Sequence, residues 1–234
     1  QFFFLVLLLF TFSCQQAPSN LSLPALFSNH LVLQQNTNTA IWGNATPNTP
    51  IFIKGSWGES QQVTTNPTGK WQANIKTPTA GGPYELTISA ADTIVVLKDI
   101  LIGEVWLCSG QSNMEMPLKG WPPNDLIANS ATEIANANYP QIRMFTVNKA
   151  IEVTPTTDFS GTWENCSPTT APDFSATAYF FGRELYQQLN VPIGLIHTSW
   201  GGTPAEAWTE GKHLSSLDDF TEVLDDLAKA EPQQ

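Results

Sequence analysis

The chain has 234 residues, 41% hydrophobic and 13% charged, with 10 Lys and Arg against 21 Asp and Glu. Its 25 aromatic residues (13 Phe, 8 Trp, 4 Tyr) are enough to fill a core, which excludes a globally disordered chain. A net charge of −11 lacks the cationic footprint that nucleic acid or an anionic membrane surface requires of a partner.

Residues 2–10 form an apolar run, Phe-Phe-Phe-Leu-Val-Leu-Leu-Leu-Phe. This is shorter than the roughly 20 residues of a bilayer span and matches the core of a signal peptide. The polar stretch from Gln15 to Asn20 then serves as a linker. Cys14 follows the small Ser13, as the lipid acceptor of bacterial lipoproteins does, although Thr11 replaces the aliphatic residue usual three positions earlier. The expectation is an exported protein, periplasmic, extracellular or lipid-anchored at the cell surface, with a lipid on Cys14 as its only membrane attachment. Cys108 and Cys166 remain as two thiols whose pairing sequence alone leaves open. Neither sits in a Cys-x-x-Cys pair, and there is no His-Glu-x-x-His, Gly-x-Gly-x-x-Gly or Walker loop, so no metal and no cofactor is expected.

Residues 21–97 read as short strands around Leu31–Leu33, Ala40–Trp42, Ile51–Lys54 and Glu85–Ile88, and after Thr93 the pattern changes, with Ile94–Leu97 an apolar strand of the kind buried on both faces of a parallel sheet. Turn chemistry at Asn66-Pro67-Thr68-Gly69 and Ala80-Gly81-Gly82-Pro83 separates several of the short strands. Their spacing predicts a small antiparallel β-sandwich. From residue 98 to 234 the pattern is α/β. Ile100–Cys108 is a nearly continuous apolar strand, and Ile142–Val147 and Ile193–His197 are further strands. Helices are expected over Leu126–Ala137 and Ser175–Leu189. The second helix carries Ala178, Phe181, Leu185 and Leu189 at helical spacing. Ser216–Ala230 reads as an amphipathic helix, with Ser216 as N-cap and Leu217, Phe220, Val223, Leu224 and Leu227 on its apolar side. The expected architecture is a leader and linker over 1–20, a β-sandwich over 21–97, and part of a parallel sheet with helices on both faces over 98–234.

Gly110-Gln111-Ser112-Asn113-Met114 follows the strand ending at Cys108. Ligand sites in parallel sheets lie at the carboxyl ends of strands, and a nucleophilic serine needs a sharp turn there to expose its Oγ. Met114 stands where the Gly-x-Ser-x-Gly elbow has its last glycine, so that motif is absent. Spacing alone equally allows a plain turn with Ser112 as a helix N-cap. A second run, Ser199-Trp200-Gly201-Gly202-Thr203-Pro204-Ala205-Glu206-Ala207-Trp208, follows the strand ending at His197. Its glycine pair permits close backbone approach and an exposed N–H donor.

The run from Gly103 to Pro117, with Gly110-Gln111-Ser112-Asn113-Met114-Glu115 at its centre, resembles the nucleophile block of the sialate O-acetylesterase family of SGNH hydrolases. Leu23–Gln34, Phe174–Leu185 and Ser199–Trp208 resemble three further blocks of that family, in order. The resemblance implies an SGNH-hydrolase-like parallel sheet flanked by helices, incomplete in this chain. It also implies a carbohydrate O-acetylesterase acting on acetylated sugars or glycans through an acetyl-Ser112 intermediate. Ser112 and the second block are then expected to supply oxyanion-hole N–H groups, with Gly202 preferred over Gly201. Gln111, Asn113 and the Trp121-Pro122-Pro123 loop are expected to contact substrate. The family's Asn-bearing block and its Asp-x-x-His have no match; Glu210-x-x-His213 lies too early in the chain to stand for the latter. The base is therefore expected beyond Gln234, and the chain alone is expected to be almost inactive. The competing reading is a non-catalytic carbohydrate-binding protein with a degenerate hydrolase domain.

Overall fold

In the computed structural model, residues 20–152 and 155–229 are described. The leader and Cys14 lie outside the described residues. Seven strands come first: β1 (Val32–Gln34), β2 (Asn38–Asn44), β3 (Pro50–Gly55), β4 (Ser60–Thr64), β5 (Lys70–Lys76), β6 (Gly81–Ala90) and β7 (Thr93–Gly110). They alternate as half-buried strands do. In β3, Ile51 and Ile53 point inward while Phe52 and Lys54 point out. An antiparallel pair, β2–β5, faces an antiparallel group, β4-β3-β6-β7. Ile41, Trp71 and Ile75 from the first meet Ile51, Ile53, Leu86 and Ile88 from the second in one core.

Strand β7 is a single element of 18 residues, where the sequence pattern predicts two. The apparent break at Lys98-Asp99 is a bulge. Tyr84 pairs with Ile100 and Leu86 with Leu97, so two residues of β7 oppose one of β6. Asp99 has φ +56°, and its carboxylate is held by His30 Nδ1 at 2.7 Å and by the buried Arg143 at 2.9 Å. The expected boundary between residues 97 and 98 falls inside this strand.

Beyond the bulge, β7 changes partners. Its Leu101–Gly103 segment pairs with β1 in parallel, and Glu104–Gly110 pairs in parallel with β10 (Ile193–Ser199). The other neighbour of β10 is β8 (Tyr139–Thr146), also parallel, and β9 (Trp163–Cys166) closes the edge antiparallel to β8. The helices are α1 (Ser112–Glu115), α2 (Ser130–Ala135), α3 (Ala176–Leu189), α4 (Gly211–Leu214) and α5 (Thr221–Lys229). Among the described residues no helix is long and apolar enough to cross a membrane.

Helix α3 is capped by Ser175, whose hydroxyl accepts from the Ala178 N–H. It buries Ala178, Tyr179 and Gly182; of the predicted stripe, Ala178 is buried and Leu185 packs on the core, whereas Phe181 and Leu189 are 39% and 50% exposed. Close approach to the sheet is the reason. A Cβ added at Gly182 would lie 2.5 Å from a Leu195 methyl, so only small residues fit at that crossing. Ile142, Met144, Ile193 and Leu195 pack on this helical side. The opposite face of the sheet carries Val105, Phe145, Trp163 and Ile196, which pack into the core of the sandwich beside Leu26, Phe27 and Val32. Among the described residues that face is covered by the N-terminal segment, where the α/β pattern predicts helices.

Two other expected helices are shorter. The one over 126–137 shrinks to α2 because Asn129 takes a left-handed conformation at its start. The tail helix begins at Thr221, and the Ser216 hydroxyl donates to the His213 carbonyl instead of capping it. Leu217, Val223 and Leu227 are each about half exposed. Cys108 and Cys166 are unpaired and buried, and burial pushes their thiols up to about 11 and about 12.

The Asp99 bridge links the bulge to β8. Partial burial opposes ionisation of Asp99, but hydrogen bonds from Arg143 and His30 outweigh it and hold its pKa below the ordinary carboxylate value. Asp99→Asn keeps a side chain that tolerates positive φ and removes only the charge facing Arg143. It is expected to cost about 1–3 kcal/mol in urea unfolding at neutral pH. An unchanged midpoint would show that the bridge carries no stability.

Candidate active site

Gly110 (φ +148°) ends β7 and Gln111 is extended, so the chain turns sharply into α1 with Ser112 as its first residue. Ser199 pairs with Gly110 across the parallel ladder, and the Trp200 N–H donates to the Gly110 carbonyl at 3.0 Å. Two blocks almost ninety residues apart are thereby joined at the carboxyl ends of adjacent parallel strands. A methyl group added at Gly201 would lie 3.0 Å from Ser112 Oγ, so glycine is required for the two turns to meet. Ser112 is exposed.

Helix α1 grips the second turn. Gln111 Nε2 donates to the Thr203 carbonyl at 2.5 Å, and the Gly201 N–H donates to Glu115 Oε2. Lys149, just past β8, donates to the other oxygen of Glu115 and lies 5.3 Å from the centre of the Trp200 ring. Within the turn, the Thr203 hydroxyl donates to the Trp200 carbonyl at 2.6 Å and accepts from Trp208 Nε1 at 2.7 Å. The Lys149 hydrogen bond, against some desolvation, holds Glu115 below its usual pKa, and the Gly201 N–H adds to this.

These contacts distinguish residues that the sequence treats alike. The Gly201 N–H is committed to Glu115, whereas Gly202 (φ +78°) has open space on its Cβ side. Gln111 braces the second turn. Asn113 is exposed, and its carbonyl accepts from the Thr177 hydroxyl at 2.8 Å. Glu115 stood in the quoted motif without a role, and Lys149 carried no local signal at all.

Two clefts flank the turn. One, of about 510 Å³, is lined by Lys149, Phe159, Ser199, Trp200, Thr203 and Trp208, among others. The other, of about 480 Å³, is lined by Glu115, Trp121, Lys149, Asp173, His197 and Ser199, among others. Trp121 thus lines a cleft, while Pro122 and Pro123 do not. His197 is buried, bonds Ser199 Oγ through Nε2, and is held below the usual imidazole pKa chiefly by desolvation. His213 is exposed on α4 with Glu210 at 3.9 Å, and His30 belongs to the Asp99 bridge. Among the described residues, no group of three or more His, Cys, Asp or Glu is arranged to hold a metal.

Ser112 at the end of a parallel strand, facing a glycine turn from the next strand, lies where parallel sheets place their ligand sites. Residues 102–232 match the family described as carbohydrate esterase, sialic acid-specific acetylesterase; the chain belongs to this family. It is 32% identical to the sialate O-acetylesterase of Rattus norvegicus over 80% of this chain and 37% of that protein. With the human sialate O-acetylesterase it shares 32% identity over 91% of this chain and 43% of that protein. The crystal structure of a carbohydrate acetylesterase from Xanthomonas citri superposes with a TM-score of 0.78 at 34% identity, covering 84% of this chain and 44% of the other. The chain spans less than half the length of these relatives.

Glu115→Ala strips the charged acceptor from Gly201 and Lys149 and is expected to cost about 1–3 kcal/mol, with Glu115→Gln restoring part of it. The folded pKa of Glu115 is depressed below its ordinary 4.5. Its contribution is therefore present above that value and lost as pH falls through the depressed one. Urea midpoints of the wild type and Glu115→Ala should differ at pH 7 and converge in acid. A gap that persists unchanged into acid would contradict this.

Proposed function

We propose that the protein is a serine-dependent carbohydrate O-acetylesterase, with Ser112 as nucleophile. The observation that carries this reading is the meeting of Ser112 with the Gly201-Gly202 turn at adjacent strand ends. Ser112 Oγ attacks the acetyl carbonyl and its proton passes to a base, a role the family resemblance gives to the His of an Asp-x-x-His block. The oxyanion is received by the N–H groups of Ser112 and Gly202, since that of Gly201 is held by Glu115. Collapse breaks the bond to the sugar oxygen, which takes up the proton from the base and leaves as the hydroxyl, so that acetyl-Ser112 remains. Water then attacks this ester, releasing acetate and restoring the serine. The substrate class is an acetylated sugar or glycan.

The test is acetate release from acetylated xylan and from O-acetylated sialic acid by the complete gene product. Ser112→Ala is expected to lower the rate by several orders of magnitude, as loss of a triad member does in serine hydrolases. Turnover that survives Ser112→Ala would overturn the assignment.

We also infer export, supported by the apolar run over 2–10, and lipid attachment at Cys14, supported by the small Ser13 before it. Radiolabelled palmitate should enter the wild-type protein and not Cys14→Ala. Equal labelling of both would refute the anchor.

A further inference from the structure

The β2–β5 pair turns one face toward the sandwich core and the other outward. The outward face bears Trp42 and Asn44 of β2 opposite Gln72 and Lys70 of β5. These four residues, with Trp71, Asn66 and residues 156, 157 and 159, line a cavity of about 490 Å³. Trp42 is half-buried, Asn44, Asn66, Lys70 and Gln72 are exposed, and the buried Trp71 borders the cavity from the core side of β5. The combination of aromatic surface, amides and one ammonium group is the lining of a site for a hydroxyl-rich, largely neutral ligand.

The walls are fixed before any ligand arrives. The Trp42 indole N–H donates to the Thr157 carbonyl at 3.0 Å, and the Trp42 ring stands edge-on to Phe27 at 4.6 Å. Asp158 Oδ1 accepts from the Ala25 and Phe159 N–H groups, while the Phe159 ring packs on Phe145 of the core. Asn66 Oδ1 accepts from the N–H groups of Thr68 and Lys70. A cavity pinned on all sides is preorganised, so little ordering entropy opposes binding.

This cavity also shares residues with a cleft at the candidate active site. Thr156 and Phe159 line both it and the cleft that contains Ser199, Trp200, Thr203 and Trp208. The two spaces therefore lie on either side of the same segment, with the second bordering the turn that faces Ser112. In the second cleft the Lys149 charge is neutralised by Glu115, and the cation of the first is Lys70.

We propose that the outer face of β2–β5, together with Thr156, Thr157 and Phe159, is a subsite for a neutral oligosaccharide chain. It holds unreacted sugar units of a polymer while an acetylated unit lies at Ser112. This deepens the esterase reading, on which it rests, by assigning the substrate to polysaccharide rather than to a single acetylated sugar. The sandwich then takes part in substrate binding as well as in covering the sheet.

The test is calorimetric binding of xylohexaose and cellohexaose to the complete gene product carrying Ser112→Ala, compared with the same protein also carrying Lys70→Ala and Gln72→Ala. Both added substitutions are at exposed rim positions outside the catalytic machinery. At least one hexaose should bind, with affinity reduced roughly fivefold or more by the rim substitutions, corresponding to about 1 kcal/mol. Xylose and glucose should bind far more weakly than their hexaoses. Absence of binding by both hexaoses, or equal binding by the rim variant, would overturn the subsite. Hydrolysis of p-nitrophenyl acetate by the protein with Ser112 intact reports separately on the esterase reading. Its absence would count against that reading, while the binding measurement still decides the subsite.

Discussion

The position of Ser112 depends on the parallel ladder between β7 and β10. Seven residues of each strand are in register, from Glu104 opposite Ile193 to Gly110 opposite Ser199. The turn bearing Ser112 and the turn bearing Gly201 follow directly from the last pair. A slip of one residue would reverse the faces of every side chain in the strand and separate the two turns. Register is held from both ends. At the start of the ladder, Glu104 accepts from the side chains of Gln34 and Gln35, while a Cβ at Gly194 would lie 2.8 Å from that of Val32. At its end, Gln111 and Glu115 tie the two turns together.

Glu115 joins three parts of the chain at that end. It belongs to the helix that starts with the serine, accepts the amide of the facing turn, and is neutralised by a lysine that follows β8. The arrangement divides the glycine pair: Gly201 is the fixed member against Ser112 and Gly202 the unobstructed one. A lysine that pairs with a carboxylate stabilises its charged form, which keeps Glu115 an acceptor for the amide and a poor proton donor toward the serine.

Much of this was legible in the sequence because its signals are contiguous. The strand-turn-serine run and the Trp-Gly-Gly run each lie within ten or so residues, and apolar runs marked β7, β8 and β10. What escaped was encoded by distance or by small side chains. The strand β7 read as two because Lys98-Asp99 looks like a turn, and only the partnership of Asp99 with Arg143, forty-four positions later, shows it as a bulge. Strand β4, Ser-Gln-Gln-Val-Thr, is polar because it lies at a sheet edge. The buried face of α3 includes Tyr179 and Gly182 beside the predicted Ala178; Gly182 adds nothing to a hydrophobic pattern, so that pattern puts the larger Phe181 and Leu189 on the face instead. Lys149 reaches Glu115 through the fold alone, and the cavity on β2–β5 takes part of its lining from the distant residues 156, 157 and 159.

The covering of the parallel sheet by the N-terminal segment also shapes how the chain assembles. The indole of Trp163 donates to the carbonyl of Leu26, the Ala25 amide to the carboxylate of Asp158, and Arg143 reaches the carbonyl of His30. Each closes a loop of more than a hundred residues. Contacts of such range are slow to form, because chain entropy is lost before their energy is gained. On the ribosome, which delivers the chain from its N-terminus, Leu26 and Phe27 must therefore wait for β9 to emerge before their core is complete. The sandwich is thus not a bead on a string, ready to be exchanged between proteins, but the first-made half of a core whose second half arrives much later.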